Sequence, residues 1–359
     1  MNNKTLQALM LASLLFAQGA AAATCDASGG GKVVPVVAAV AALQSTLTAA
    51  QRAQFARPLT PATAIQWSNL PVALVPRAGV RLGDLSQSQA AAAQKLFEAA
   101  LSACGVQLLA EIRRADDFLK PLDERQIGWD AGNYYVSVLG EVSKTSPWIL
   151  QLGGHHIAYN LTFNGPQPGA TPLFFGTEPI RFEHGGGAFE PLAAQSTAMS
   201  NVARAIAGYE SARLAGTFTD VVKGVVMIPV PGGFPKGGTD TGFPLAYPTG
   251  TADRGVPYAS LTKPQQAVVL AALHSYASLP GAAISAPLVA AYESADALRA
   301  TYVGYAGAED LSARGSYVRI DGPRIWMEFV VQPAVADPKT LHYHALWRDK
   351  LADYGGEVH

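Results

Sequence analysis

Two turn dipeptides, Asn164–Gly165 and Asp321–Gly322, constrain this chain more than any other feature, because each lies between runs rich in Val, Ile, Tyr, Phe and Trp. Residues that accept a positive φ favour the tight connections that fold one strand back on its neighbour. The pattern predicts that 148–163 returns on 171–176 and that 316–320 returns on 325–331. Further strand-like blocks cover 134–139, 172–175, 221–230 and 341–346, bounded by Gly, Pro, Asn or Asp. Helical blocks stand apart from these. Thr48-x-x-Gln51, Ser86-x-x-Gln89 and Thr262-x-x-Gln265 each precede Ala- and Leu-rich sequence. In each, the hydroxyl can accept from a free backbone N–H while the glutamine reaches back to the cap, so three helices begin there. A break is expected near Gly105, a further helix over 195–214, and a stop at Pro280–Gly281. Paired strands with helices in separate blocks define an α+β fold around a largely antiparallel sheet.

The first two dozen residues read differently. Lys4 supplies a positive start, Leu6 to Phe16 an apolar stretch too short to span a bilayer, and Ala20 to Ala23 a small-residue cleavage region. Residues 1–23 are thus expected to be a signal peptide, with the mature chain starting at Ala23 or Thr24 in the periplasm or outside the cell. Lipidation at Cys25 is the alternative, and Thr24 is a poor residue to precede it. Residues 24–46 are expected to form a flexible mature N-terminus and 47–359 a single globular domain. Cys25 and Cys104 are the only cysteines. In an oxidising compartment they invite a disulfide, while Cys104 within an apolar run can equally be a small buried hydrophobe.

Of the 359 residues 49% are hydrophobic and 15% charged, with a net charge of −1, which supplies a core and gives no attraction to polyanions. Nucleic acid is therefore excluded as a partner, and no second apolar run is long enough to span a membrane; a small molecule is the expected ligand or substrate. The Gly- and Pro-rich stretch 229–260, with Phe234, Phe243 and Tyr247, is long for a connection and is expected either to cover a site or to be mobile.

Several motifs stand in register along the chain: Trp67-Ser-Asn-Leu-Pro71, Gly153-Gly-His-His156 followed by Asn160, Gly176-Thr-Glu-Pro179, His342-Tyr-His344-Ala-Leu-Trp-Arg-Asp349 and Asp353-Tyr-Gly355. With these the chain resembles the bacterial domain-of-unknown-function family 3500 from about Thr48 to Gly355. The resemblance implies an exported single-domain protein and leaves its activity unassigned. Where that family often carries an Ala-Trp pair before the last hairpin, this chain has Gly304-Tyr305, and its 229–260 stretch is longer or differently built.

Chemistry is sought in polar residues at positions where apolar ones are expected. On an extended 148–163 strand, period two places His156 and Asn160 on one face and His155 among hydrophobes on the other, with Gly153–Gly154 marking a bulge or a close approach. His342 and His344 share a face by the same rule. Imidazoles with a carboxylate suit Zn²⁺, Cu²⁺, Fe²⁺ or Ni²⁺, and a catalytic centre needs three protein ligands and an open position. The candidate ligands are His155, His156, His342 and His344, with Glu178 or Glu328 moving a proton. Glu328, in line with Trp326 and Val330, is costly to bury unpaired and should have a partner. Arg348 is the candidate anchor for an anionic substrate, and Asn160, Trp347 and Asp349 are candidate substrate contacts.

Other readings compete. The His-x-His pair can be structural, with Arg348 and Asp349 locking the last turn as an ion pair. A metal-free site can use a histidine of the 155–156 pair as base, oriented by Glu178. The chain lacks Gly-x-Ser-x-Gly, a P-loop and His-Glu-x-x-His. A metal-assisted hydrolase and a non-catalytic metal- or ligand-binding protein both remain open.

Overall fold

The computed structural model describes residues 25–167, 169–225, 227–228, 236–240 and 245–356. The signal-peptide reading of 1–23 lies outside these, as do Phe234, Phe243 and His359.

Helices begin where the caps predict. Thr48, Ser86 and Thr262 each form a reciprocal capping box with the glutamine three residues on, opening helices Ala49–Phe55, Gln87–Ala100 and Lys263–Ala277. The expected break at Gly105 falls earlier, at Leu101 and Ser102. The Ser102 hydroxyl accepts from the Gly105 backbone N–H and starts a new helix, Ala103–Leu119. Gly105 is instead a point of close approach, since a Cβ there would sit 2.0 Å from the Leu279 carbonyl oxygen. The helix expected over 195–214 spans Ala193–Ile206.

The described part of the 24–46 segment, expected to be flexible, carries a helix. Val33–Thr46 is a helix whose Val36, Val40 and Leu43 are buried in the main core, and Cys25 forms a disulfide with Cys104. Its apolar stripe and the cross-link tie this segment to the helices of the next block.

The main sheet has eleven strands and is antiparallel apart from the short Ala56–Arg57 edge. From that edge its order runs Tyr135–Leu139, Trp148–Gly154, Ile157–Phe163, Leu173–Thr177, Leu341–Asp349, Ile325–Pro333, Tyr317–Asp321, Tyr302–Ala306 and Val256–Pro257, and the eleventh described strand, Val80–Arg81, also pairs with Tyr135–Leu139. Both predicted turns lie between antiparallel neighbours, with Ile157 opposite Phe175 and Asp321 opposite Trp326. The 148–163 run is two strands rather than one. The chain reverses at His155–His156, leaving Gly154 opposite Ile157 and His156 at φ 61°. Gly154 permits this, because a Cβ there would lie 2.6 Å from the Tyr134 ring. Of the expected 221–230 strand, Met227–Ile228 is a strand, paired with Lys236–Gly237, whereas 221–225 are turn and irregular chain.

Register divides the sheet into two unlike faces. Tyr343, Ala345 and Trp347 stand opposite Val331, Phe329 and Met327, and this face joins the helices in one large apolar core. The reverse face carries His342, His344, Leu346 and Arg348 opposite Gln332, Val330, Glu328 and Trp326. A smaller apolar cluster that includes Trp67, Leu214, Val221 and Tyr354 covers part of it. The alternation of the last two strands thus separates a dry packing face from one rich in charge.

Candidate metal centre

Two elements remote in sequence bring four histidines together on the polar face. His342 and His344 project from the Leu341–Asp349 strand, and His155 and His156 form the tip of the 148–163 hairpin, two strands away. The tip is held by backbone bonds: the His156 N–H donates to Asn69 O at 3.1 Å, and His156 O accepts from the Gly176 N–H at 2.8 Å. Gly176 stands opposite His344, and a Cβ on it would come 2.9 Å from His344 Cδ2 and 3.2 Å from His156 Cδ2. The missing side chain makes room for the two imidazoles.

The side chains of all four histidines are buried. His156, His342 and His344 can each offer a nitrogen such that the three atoms lie within 4.8 Å of one another. His156 Nε2 and His342 Nε2 are 2.8 Å apart. His344 is fixed from behind by Asp220, whose Oδ1 lies 2.8 Å from Nδ1. A carboxylate on Nδ1 holds the proton there and leaves the lone pair on Nε2. That Nε2 is buried with no hydrogen-bond partner. His342 Nδ1 and Glu178 Oε2 are likewise unpartnered, facing each other at 3.7 Å.

A second group adjoins the first. The His155 and His156 rings stack 3.6 Å apart, and His155 Nδ1 lies 2.6 Å from Asp116 Oδ1. Asp116 also accepts from the Tyr134 hydroxyl at 2.9 Å. Asp116, His155 and His156 offer a further set of potential ligand atoms within 4.8 Å of one another.

Electrostatics keep the central rings neutral. Burial first, and then the neighbouring imidazoles, push His156 and His342 well below the ordinary histidine range. Burial raises Asp116 and Glu178 above the usual carboxylate range. Neutral imidazoles are the form that binds a metal.

Glu178 accepts from the Ala336 N–H at 2.5 Å and so stands behind His342 rather than among the converging ligand atoms. Glu328, expected as its alternative, is elsewhere on the same face. It accepts from Trp326 Nε1 at 2.6 Å, the Tyr317 hydroxyl at 3.1 Å and the Lys223 N–H at 3.3 Å. It thus has the partners its burial demanded, and burial raises its pKa to about 7.

The remaining candidates serve the framework. Arg348 is fully buried and donates to Asp240 at 2.7 Å, Asp353 at 2.8 Å and Lys223 O at 2.7 Å, so its three nitrogens are engaged. Asp349 does not pair with Arg348. It accepts from Arg324 at 2.9 Å and from the Tyr292 hydroxyl at 2.8 Å. Asn160 accepts from Gln151 at 3.0 Å and donates to Pro172 O at 2.8 Å. Trp347 lies on the apolar face, with Tyr292 6.2 Å away. The turn at His155–His156 breaks the alternation that would relate Asn160 to His156, and strand alternation puts Trp347 and Asp349 on the face away from His342 and His344.

Sequence reasoning missed Asp116, Asp220 and Gly176. Asp116 had a signal, since Leu109, Ile112, Asp116 and Leu119 recur at helical spacing and one of them is charged. Asp220, in irregular chain, had none.

A cleft of about 740 Å³ lies elsewhere, lined by the disulfide, Arg181, Phe182, Phe189 and Glu190 among others, and none of the four histidines lines it. Among the described residues, no helix is long and apolar enough to cross a membrane.

An antiparallel sheet with helices on one face and a buried cluster of histidines and carboxylates on the other is the class of protein that these features define. The chain belongs to the family described as protein of unknown function (DUF3500), which matches residues 30–356 and so includes the Val33–Thr46 helix. No curated protein and no solved structure matches it.

Proposed function

We propose that His156, His342 and His344 bind one divalent transition metal and that the metal activates water for a hydrolytic reaction. The observation that carries the reading is His344 Nε2, a buried nitrogen with no hydrogen-bond partner, on a ring whose ligand atom lies within 4.8 Å of those of His156 and His342. A buried acceptor left unsatisfied is costly, and a metal ion satisfies it. Three imidazoles leave a tetrahedral ion one position for water, whose pKa the ion lowers. Asp220 orients His344, and a small approach of Glu178 to His342 Nδ1 gives that ligand the same support. His156 and His342 exchange their mutual hydrogen bond for the ion.

Burial of all three rings, and a cleft of about 740 Å³ that lies elsewhere, favour a second reading in which the protein holds the metal without turnover. Location outside the cytoplasm is part of both; the N-terminal 23 residues and the Cys25–Cys104 disulfide support it. Elemental analysis of purified protein, followed by a panel of ester, amide, phosphoester and glycoside substrates, separates the readings. Metal with turnover that a chelator abolishes supports hydrolysis. Metal without turnover supports capture, and absence of metal after growth and dialysis with Zn²⁺, Cu²⁺ or Fe²⁺ refutes both.

A further inference from the structure

Further along the polar face, the Trp326 indole is ringed by positive charge. Arg319 Cζ lies 4.9 Å from its ring centre, Lys350 Nζ 5.5 Å and Lys223 Nζ 5.7 Å. Tyr247 packs 5.3 Å from Trp326 and is approached by the same two ammonium groups, Lys350 at 4.9 Å and Lys223 at 5.6 Å. Arg254 adds a fourth cation through its pair with Asp321 at 2.6 Å.

Negative charge does not balance this set. Asp321 takes both Arg254 and Lys350, each at 2.6 Å. Glu328 gives its oxygens to Trp326, Tyr317 and the Lys223 backbone rather than to a cationic side chain, and Asp240 and Asp353, which also act on Tyr247, are held by Arg348. Among the described residues, Lys223 Nζ has no ion-pair partner, and while Arg319 Nη2 donates to Asp253 O at 2.5 Å, its Nε is buried with no acceptor. Burial pulls Lys223 below the usual lysine range, and Lys350 too in spite of its bond to Asp321, as expected of ammonium groups in a poorly solvated place. Lys223, Tyr247 and Lys350 are half-buried, so solvent still reaches the cluster.

We propose that Lys223, Arg319 and Lys350, with Trp326 and Tyr247 as walls, bind the oxyanion group of a small ligand. An oxyanion is an acceptor without donors, which is what an orphaned guanidinium N–H and an unpaired ammonium lack. The aromatic faces limit water and strengthen the charged hydrogen bonds. Trp326 is four residues along its strand from Val330, which stands opposite His344. At about 3.3 Å per residue, the two centres are roughly 13 Å apart on one face, within reach of one elongated molecule. The oxyanion site nonetheless rests on its own residues and does not require the metal.

The test is calorimetric titration of metal-stripped protein with sodium phosphate, sulfate and acetate in separate arms, at an ionic strength held constant with chloride. Saturable binding of at least one anion is expected, and the anion that saturates tells a phosphate, sulfate or carboxylate ligand apart. Lys223→Gln should weaken that binding about tenfold or more, and Arg319→Gln should do the same. Lys263→Gln, at an exposed lysine on a helix, should leave it unchanged. Absence of saturable heat for all three anions, or full affinity in Lys223→Gln, overturns the proposal, and Lys223→Gln decides alone should Arg319→Gln fail to fold. Because no metal is present, failure here leaves the metal reading standing, and the reverse holds too.

Discussion

Gly176 stands directly opposite His344, and its missing Cβ is the space in which the His344 and His156 imidazoles approach each other. A Cβ there would also lie 2.7 Å from the Tyr343 carbonyl oxygen, a backbone atom that cannot swing aside. Gly176→Ala should therefore cost about 1–3 kcal/mol in denaturant unfolding and reduce bound metal in the protein that still folds. Wild-type metal content in a folded Gly176→Ala protein would show that the rings do not need that space.

Removing any converging imidazole should empty the centre. His156→Ala, His342→Ala and His344→Ala are each expected to lower metal, measured by mass spectrometry of the elements, from about one ion per chain to near zero. Asp220→Asn keeps every ligand but loses the carboxylate on His344 Nδ1. It should weaken binding by roughly 10–100-fold in a chelator competition. Equal affinity in Asp220→Asn would mean that the carboxylate charge does not support His344.

Stability should fall as pH rises through the titration of Glu328. Its pKa is raised from 4.5 to about 7 by burial, so between these values the folded state holds more protons than the unfolded one. The contribution is fully present below about pH 4.5 and lost as pH passes 7. It amounts to on the order of 3 kcal/mol relative to Glu328→Gln. The buried histidines slope the other way, but both proteins share them, so the wild-type minus variant difference across pH 4 to 8 isolates Glu328. A flat difference would contradict the raised pKa.

The disulfide closes a sequence separation of 79 residues and pins the first helix to the core. Replacing both cysteines by serine should cost roughly 2–5 kcal/mol in reversible unfolding. Thiol labelling of denatured, unreduced wild-type protein should find no free cysteine; two reactive thiols would refute the pairing.

Export is checked at the N-terminus. Mass spectrometry of protein recovered from outside the cytoplasm should find a chain starting at Ala23 or Thr24, and an intact Met1 would contradict cleavage.

By itself the sequence determined what depends on a few neighbouring residues. Thr48, Ser86 and Thr262 open helices because each cap and its glutamine satisfy backbone groups within one turn. Asn164–Gly165 and Asp321–Gly322 return their strands because the preference is local, and His342 and His344 share a face because strand alternation has period two. Tertiary structure alone decided that His155 and His156 turn rather than extend, since that follows from Tyr134 crowding Gly154 and from hydrogen bonds to Asn69 and Gly176. It also decided that Asp116 and Asp220 back the histidines, and that Arg348 is consumed by Asp240 and Asp353. These partners lie up to 124 residues apart, and which polar groups meet is set by strand register and by the cost of leaving any of them buried alone, quantities that no local stretch of sequence contains.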